Sequence, residues 1–107
     1  MVEKFQNILP VKITVLGMGE GIMGGVITAT STAANLPTTP LTDRKSIIVR
    51  NASGQDAYLG GSTVTSAGLN GFPFKTGEIF AIDLGPSVNL YVVLATGSGS
   101  IHYLESA

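Results

Sequence analysis

The sequence predicts an all-β chain: an antiparallel β-sandwich or barrel-like domain of about seven strands with an N-terminal arm. Three observations predict it. Short runs of β-branched and aromatic residues, bounded by Gly, Pro, Asn and Ser, recur along the chain. They return about every ten residues, the spacing that antiparallel strands of a sandwich or barrel require. No window holds apolar residues at the i, i+3, i+4, i+7 spacing of a helix without Gly, Pro or a β-branched cluster breaking it.

The elements follow in order. Residues 1–10 are read as an arm, and 11–107 as a single β domain. Strands are predicted at Val11–Leu16, Met23–Thr30, Ser46–Asn51, Ala57–Leu59, Glu78–Leu84, Val88–Thr96 and Ser100–Glu105. Between the second and third, residues 31–45 form a long loop or linker. Its Ser31–Thr42 portion carries two prolines among small polar residues and cannot be a central strand. It is either an ordered loop crossing the sandwich or a flexible connection between arm and body.

Alternation assigns faces. In Glu78–Leu84, Phe80, Ile82 and Leu84 share one face, while Ile79, Ala81 and Asp83 share the other. Val88–Thr96 is apolar on both faces, so it is either central between packed layers or covered by a neighbouring subunit. Gly97-Ser98-Gly99 then reads as the turn of a hairpin joining it to Ser100–Glu105. Gly60-Gly61 is read as a turn using positive φ, and Gly77 as a tight turn feeding the strand that follows.

Composition bounds the function. A chain of 107 residues fits one domain. Only 12% of residues are charged, against about 25% in an average soluble protein, and the formal net charge is −1. Six scattered cations make no stripe for nucleic acid and no polybasic patch for a membrane surface, so neither partner is expected. A mean hydropathy of +0.38 argues against disorder. With no cysteine there are no disulfides, thiolate metal sites or cysteine nucleophiles. The first ten residues lack the apolar core of a secretion signal, so synthesis in the cytoplasm is expected.

The chemistry-bearing residues make no catalytic pattern. His102 is the single histidine and has no companion ligand in sequence, so it reads as a solvent-facing or packed imidazole, and no metal is expected. The carboxylates Glu3, Glu20, Asp43, Asp56, Glu78, Asp83 and Glu105 form no spaced pair, and Asp43-Arg44-Lys45 reads as a solvated loop edge. No serine sits in a nucleophile elbow. Gly17-Met-Gly-Glu-Gly21 lacks the lysine and following helix of a phosphate cradle, and reads as a turn. Asn51-Ala-Ser53 matches a glycosylation acceptor but reads as a turn as well. No enzyme activity, catalytic residue or cofactor is expected. The candidate contact residues are Phe5, Ile8 and Leu9 in the arm, and Tyr58, Phe72 and Phe74, whose rings stand beside glycine and proline turns.

From Ser46 to Glu105 the chain resembles a small β-rich module of tailed-bacteriophage virion proteins. The residues that carry this are Ile48-Val-Arg-Asn51, Ala57-Tyr-Leu-Gly-Gly-Ser-Thr-Val-Thr65, Gly71-Phe-Pro-Phe-Lys-Thr-Gly-Glu78 and Asn89-Leu-Tyr-Val-Val-Leu-Ala-Thr-Gly-Ser-Gly-Ser-Ile-His-Tyr-Leu-Glu105. The resemblance implies a virion structural component without catalytic residues: a head decoration (cement) protein, a head-fibre base or a tail-associated module. Decoration is the leading expectation. The partner would be the major capsid protein or another virion protein, and the chain would self-associate, with a trimer favoured. The competing expectation is a receptor- or glycan-binding module of a phage fibre or tail. Residues 1–45 lie outside the resemblance.

Overall fold

The computed structural model describes residues 21–107. The described residues contain no helix and form eight strands: β1 (Ile22–Ala29), β2 (Ala34–Asn35), β3 (Ser46–Ala52), β4 (Ala57–Gly60), β5 (Gly71–Phe74), β6 (Ile79–Asp83), β7 (Tyr91–Leu94) and β8 (Gly99–Ser106). They make two antiparallel four-stranded sheets, ordered β1-β8-β3-β6 and β2-β7-β4-β5. The all-β, two-sheet architecture is the one periodicity predicts. The arm and the strand read at Val11–Leu16 lie outside the described residues.

Six of the predicted strands lie within the described residues, and each is present with its ends within three residues of the prediction. Two observed strands differ from the sequence reading. Strand β5 falls on Gly71-Phe-Pro-Phe74, where proline argues for a loop; it forms because β5 is an edge strand, where a missing N–H breaks no inner ladder. Strand β2 lies inside the 31–45 segment, which is an ordered crossing: Leu36 is buried and its N–H donates to the Leu90 carbonyl at 2.8 Å.

Connectivity departs from the expected hairpin. The strands on either side of Gly97-Ser98-Gly99 belong to different sheets, β7 between β2 and β4 and β8 between β1 and β3. The glycine turn, with Gly97 at φ 72°, therefore carries the chain across the sandwich. Among the described strands only β4 and β5 are consecutive and paired to each other; every other connection between them changes sheet.

Residues directly opposite in a ladder share a face. Ile47, Val49, Ile101 and Ala29 of the first sheet thus meet Ala57, Leu59, Phe74, Val92 and Leu94 of the second in one buried core. Phe80 and Leu84 pack against it from the inward side of the β6 segment, as alternation predicts. Strand β7 is buried on both sides because it is central in its sheet: Val92 and Leu94 face the core, and Val93 is buried on the outer side. That outer side is capped by the 61–70 loop, whose buried Val64 sits over Gly60 and Gly71. The centre of the two-faced apolar strand, Val92 to Leu94, is thus buried within its own chain.

Gly60 and Gly61 do not adopt positive φ. What requires glycine at position 60 is close approach: an added Cβ would lie 2.6 Å from the Asn70 carbonyl oxygen. Asn51 is buried and organises the turn after β3. Its amide nitrogen donates to the Phe74 carbonyl at 2.8 Å and the Gln55 carbonyl at 2.9 Å, while Oδ1 accepts from the Ser53 N–H and hydroxyl. An asparagine so enclosed is a structural turn residue, and glycan attachment would need its amide free.

Candidate functional site

The first sheet has one face in the core and one turned outward. The outward rows, read across β1, β8, β3 and β6, are Ile22, Ser106, Ser46 and Asp83; then Gly24, Leu104, Ile48 and Ala81; then Val26, His102, Arg50 and Ile79; and last Thr28, Ser100 and Ala52, which β6 does not reach. Ile22, Val26, Ile48, Ile79 and Leu104 are 43–67% exposed. Alternation ordinarily places polar residues on the solvated face of an antiparallel sheet. Here five large aliphatic side chains stand exposed on that face, and its charged or titratable side chains are Arg50, His102 and Asp83. Ile48, Ile79, Leu104, Arg50 and His102 surround a shallow depression of about 180 Å³ on this face.

A second apolar feature lies where the edge strands β5 and β6 of the two sheets leave the sandwich open. Phe72, Pro73, Phe74, Glu78, Ile79 and Phe80 line a groove of about 240 Å³, with the Phe72 and Phe80 rings 6.4 Å apart and tilted by 39°. Glu78 carries the only charged side chain in this lining, and it accepts from the Lys75 N–H at 2.7 Å within its own turn.

The aromatic candidates separate. Phe72 is 65% exposed and stands at the groove mouth. Phe74 shares its face of β5 but lies deeper, opposite Ala57 in the core, and at 2% exposed it presents no contact surface. Tyr58 is half-buried and lies against Gly68, where an added Cβ would come within 2.9 Å of its ring. Phe5, Ile8 and Leu9 lie outside the described residues.

The titratable residues are placed differently from the sequence reading in one respect. Arg44 is not a solvated loop residue: its side chain is 0% exposed and forms a 2.9 Å ion pair with Glu105, itself 1% exposed. The guanidinium also donates to the carbonyl oxygens of Leu84 (3.0 Å), Gly85 (2.9 Å) and Val88 (2.7 Å), and Glu105 accepts in addition from the Leu41 N–H at 3.1 Å. Every one of these contacts fastens the segments around positions 41 and 84–88 to β8. The pair is thus consumed in holding loops, with each ion compensated by hydrogen bonds. Asp43, with φ 59°, and Lys45 are exposed on either side of Arg44. His102 is exposed beside Arg50 on the outer face. No three metal-ligating side chains gather among the described residues.

Sequence alternation carried a signal for the pair. Glu105 has the same parity in its strand as the core residue Ile101 and the partly buried Tyr103 that packs against the core, so an inward carboxylate there demands a buried cation. Which cation supplies it is fixed only by the loop crossing that brings residue 44 to residue 105.

No protein-family model and no curated protein matches the chain. Among solved structures the chain is similar to a Bacillus endospore appendage, from a family of disulfide-linked pili, at 12% identity and a TM-score of 0.39. The match covers 89% of this chain and 98% of that one. Likeness at this level carries no functional argument, and this chain has no cysteine for such a link.

Proposed function

We propose that the chain is a non-enzymatic structural protein of a tailed-phage particle, a head decoration protein that binds the capsid lattice and associates with copies of itself. The observation that carries the assembly part is the aliphatic outer face of the β1-β8-β3-β6 sheet. Exposed apolar patches beyond a few hundred Å² are uncommon on chains that work alone, and they mark surfaces that are covered in use. The 12% charged fraction supports the same reading, since few charges surround that face. The phage part rests on the resemblance of Ser46–Glu105 to virion modules.

The competing glycan-binding reading draws less support. Sugar sites pair an aromatic platform with several convergent polar groups. Of the three rings proposed for that role only Phe72 is exposed, and the one carboxylate in its groove is engaged in a turn.

The test is whether the chain travels with particles. Virions banded on a density gradient from a lysate that produces this chain should contain it by quantitative mass spectrometry, in many copies per particle. Its confinement to the soluble fraction would refute the proposal. Binding of the purified chain to a glycan array, without particle association, would favour the fibre reading instead.

A further inference from the structure

We infer that the outer face of the β1-β8-β3-β6 sheet is a two-fold interface, and that its occupant is a second copy of the same chain packed sheet to sheet. The inference rests on the reading above that the chain works in an assembly. It adds which face is covered, by what, and with what symmetry; a two-fold pair takes the place of the trimer that the resemblance favours.

The charges of the face lie in its first and third rows, on either side of the second, and the fourth row, Thr28, Ser100 and Ala52, carries none. Asp83 stands in the first row, opposite Ser46, and Arg50 stands in the third, opposite Ile79. Four residues along a strand are about 13 Å, so the two charges are well separated along the face. Between them runs the row Gly24, Leu104, Ile48 and Ala81, which carries no charge.

Consider a two-fold axis lying in the interface across that middle row. It sets each strand antiparallel over its own copy and exchanges the first row with the third. Ile48, Ala81 and Leu104 then meet their own counterparts, giving an apolar centre. Asp83 of each copy comes over Ile79 of the other, with the partner's Arg50 one strand away, about 4.8 Å to the side. The axis forms this pair twice. Arg50 and His102 meet the serine end of the partner's first row, so no like charges are opposed. An isologous surface must be complementary to itself in this sense, and this face satisfies the condition.

Size sets the strength. Four strands about 4.8 Å apart and seven residues at about 3.4 Å cover about 450 Å² of flat face per copy. That is the low end of specific interfaces, so the pair is weak in solution and is reinforced where many copies are held together.

The experiment is sedimentation equilibrium of the full chain up to about 100 μM, with charge-reversed variants. The wild-type chain should approach twice its 11.0 kDa mass reversibly as concentration rises. Arg50→Asp and Asp83→Arg should each raise the dissociation constant about tenfold, and the double reversal should return it to within about threefold of wild type. Leu104→Glu should abolish the pair. Because all three side chains are exposed, circular dichroism melts should match wild type, which separates lost pairing from lost folding. A chain that stays monomeric throughout overturns the inference, as it would if residues 1–20 or another virion protein covered the face. So does a dimer indifferent to all three changes, or a double reversal no better than the singles. Absence from purified particles would sink the functional proposal while leaving this measurement standing.

Discussion

Replacing Glu105 by glutamine keeps shape and one acceptor oxygen but removes the charge that faces Arg44. A guanidinium does not deprotonate in a protein, so the variant retains a fully buried cation without its counter-ion. Removing one partner of a buried pair costs about 3–5 kcal/mol. The carbonyls of Leu84, Gly85 and Val88 still accept from Arg44, which places the expected loss near the lower end, about 3 kcal/mol. Against the ~5–15 kcal/mol stability of an ordinary domain this is a large fraction, and it corresponds to a fall in Tm of roughly 10–20 °C. Arg44→Met should cost at least as much, because it also strips the donors from those three carbonyls. Urea denaturation followed by circular dichroism measures both. A loss below about 1 kcal/mol for Glu105→Gln would refute the reasoning, since that is the range of an exposed, solvated pair.

Two further outcomes follow from the same packing. Phe74→Ala should destabilise by about 3–5 kcal/mol while Phe72→Ala should cost well under 1 kcal/mol, although the two share a face of β5; equal effects in denaturant titrations would contradict the placement of Phe74 inside the core and of Phe72 at the open mouth of the groove. Gly71→Ala places a Cβ 2.4 Å from Val64 Cγ2 and 3.2 Å from the Leu59 carbonyl oxygen, so it should cost about 1–3 kcal/mol by overpacking, and a Val64→Ala background should lessen that added cost. A neutral Gly71→Ala in thermal melts would show that the 61–70 loop does not cap the second sheet.

How far the sequence reaches depends on whether a feature is local. Alternation in Ile79–Asp83 and the β-branched run Ser46–Ala52 specify strands and their inward faces, because period-two patterning acts residue by residue. The apparent hairpin at Gly97 fails for a different reason: a glycine turn fits a reversal within one sheet and a crossing between two, and only long-range pairing chooses. Proline hides β5 because an edge position cannot be read from one strand alone. Arg44 looks solvated in its run of charges, and its burial appears only when β8 delivers Glu105 to it. The aliphatic outer face is legible in part. Ile48, Ile79 and Leu104 are outward by parity, but their gathering into one patch depends on β8 pairing with β3 and β3 with β6. The low charge content finds its structural counterpart in this exposed aliphatic face rather than in strand β7, whose Val92, Val93 and Leu94 are buried within the chain.

The most direct measurement is a cryo-EM map of particles carrying this chain, at a resolution that shows side chains. The account predicts protein density packed against Ile48, Ile79 and Leu104, with a second copy of the chain related by a two-fold axis. The same face open to solvent in every copy would contradict it.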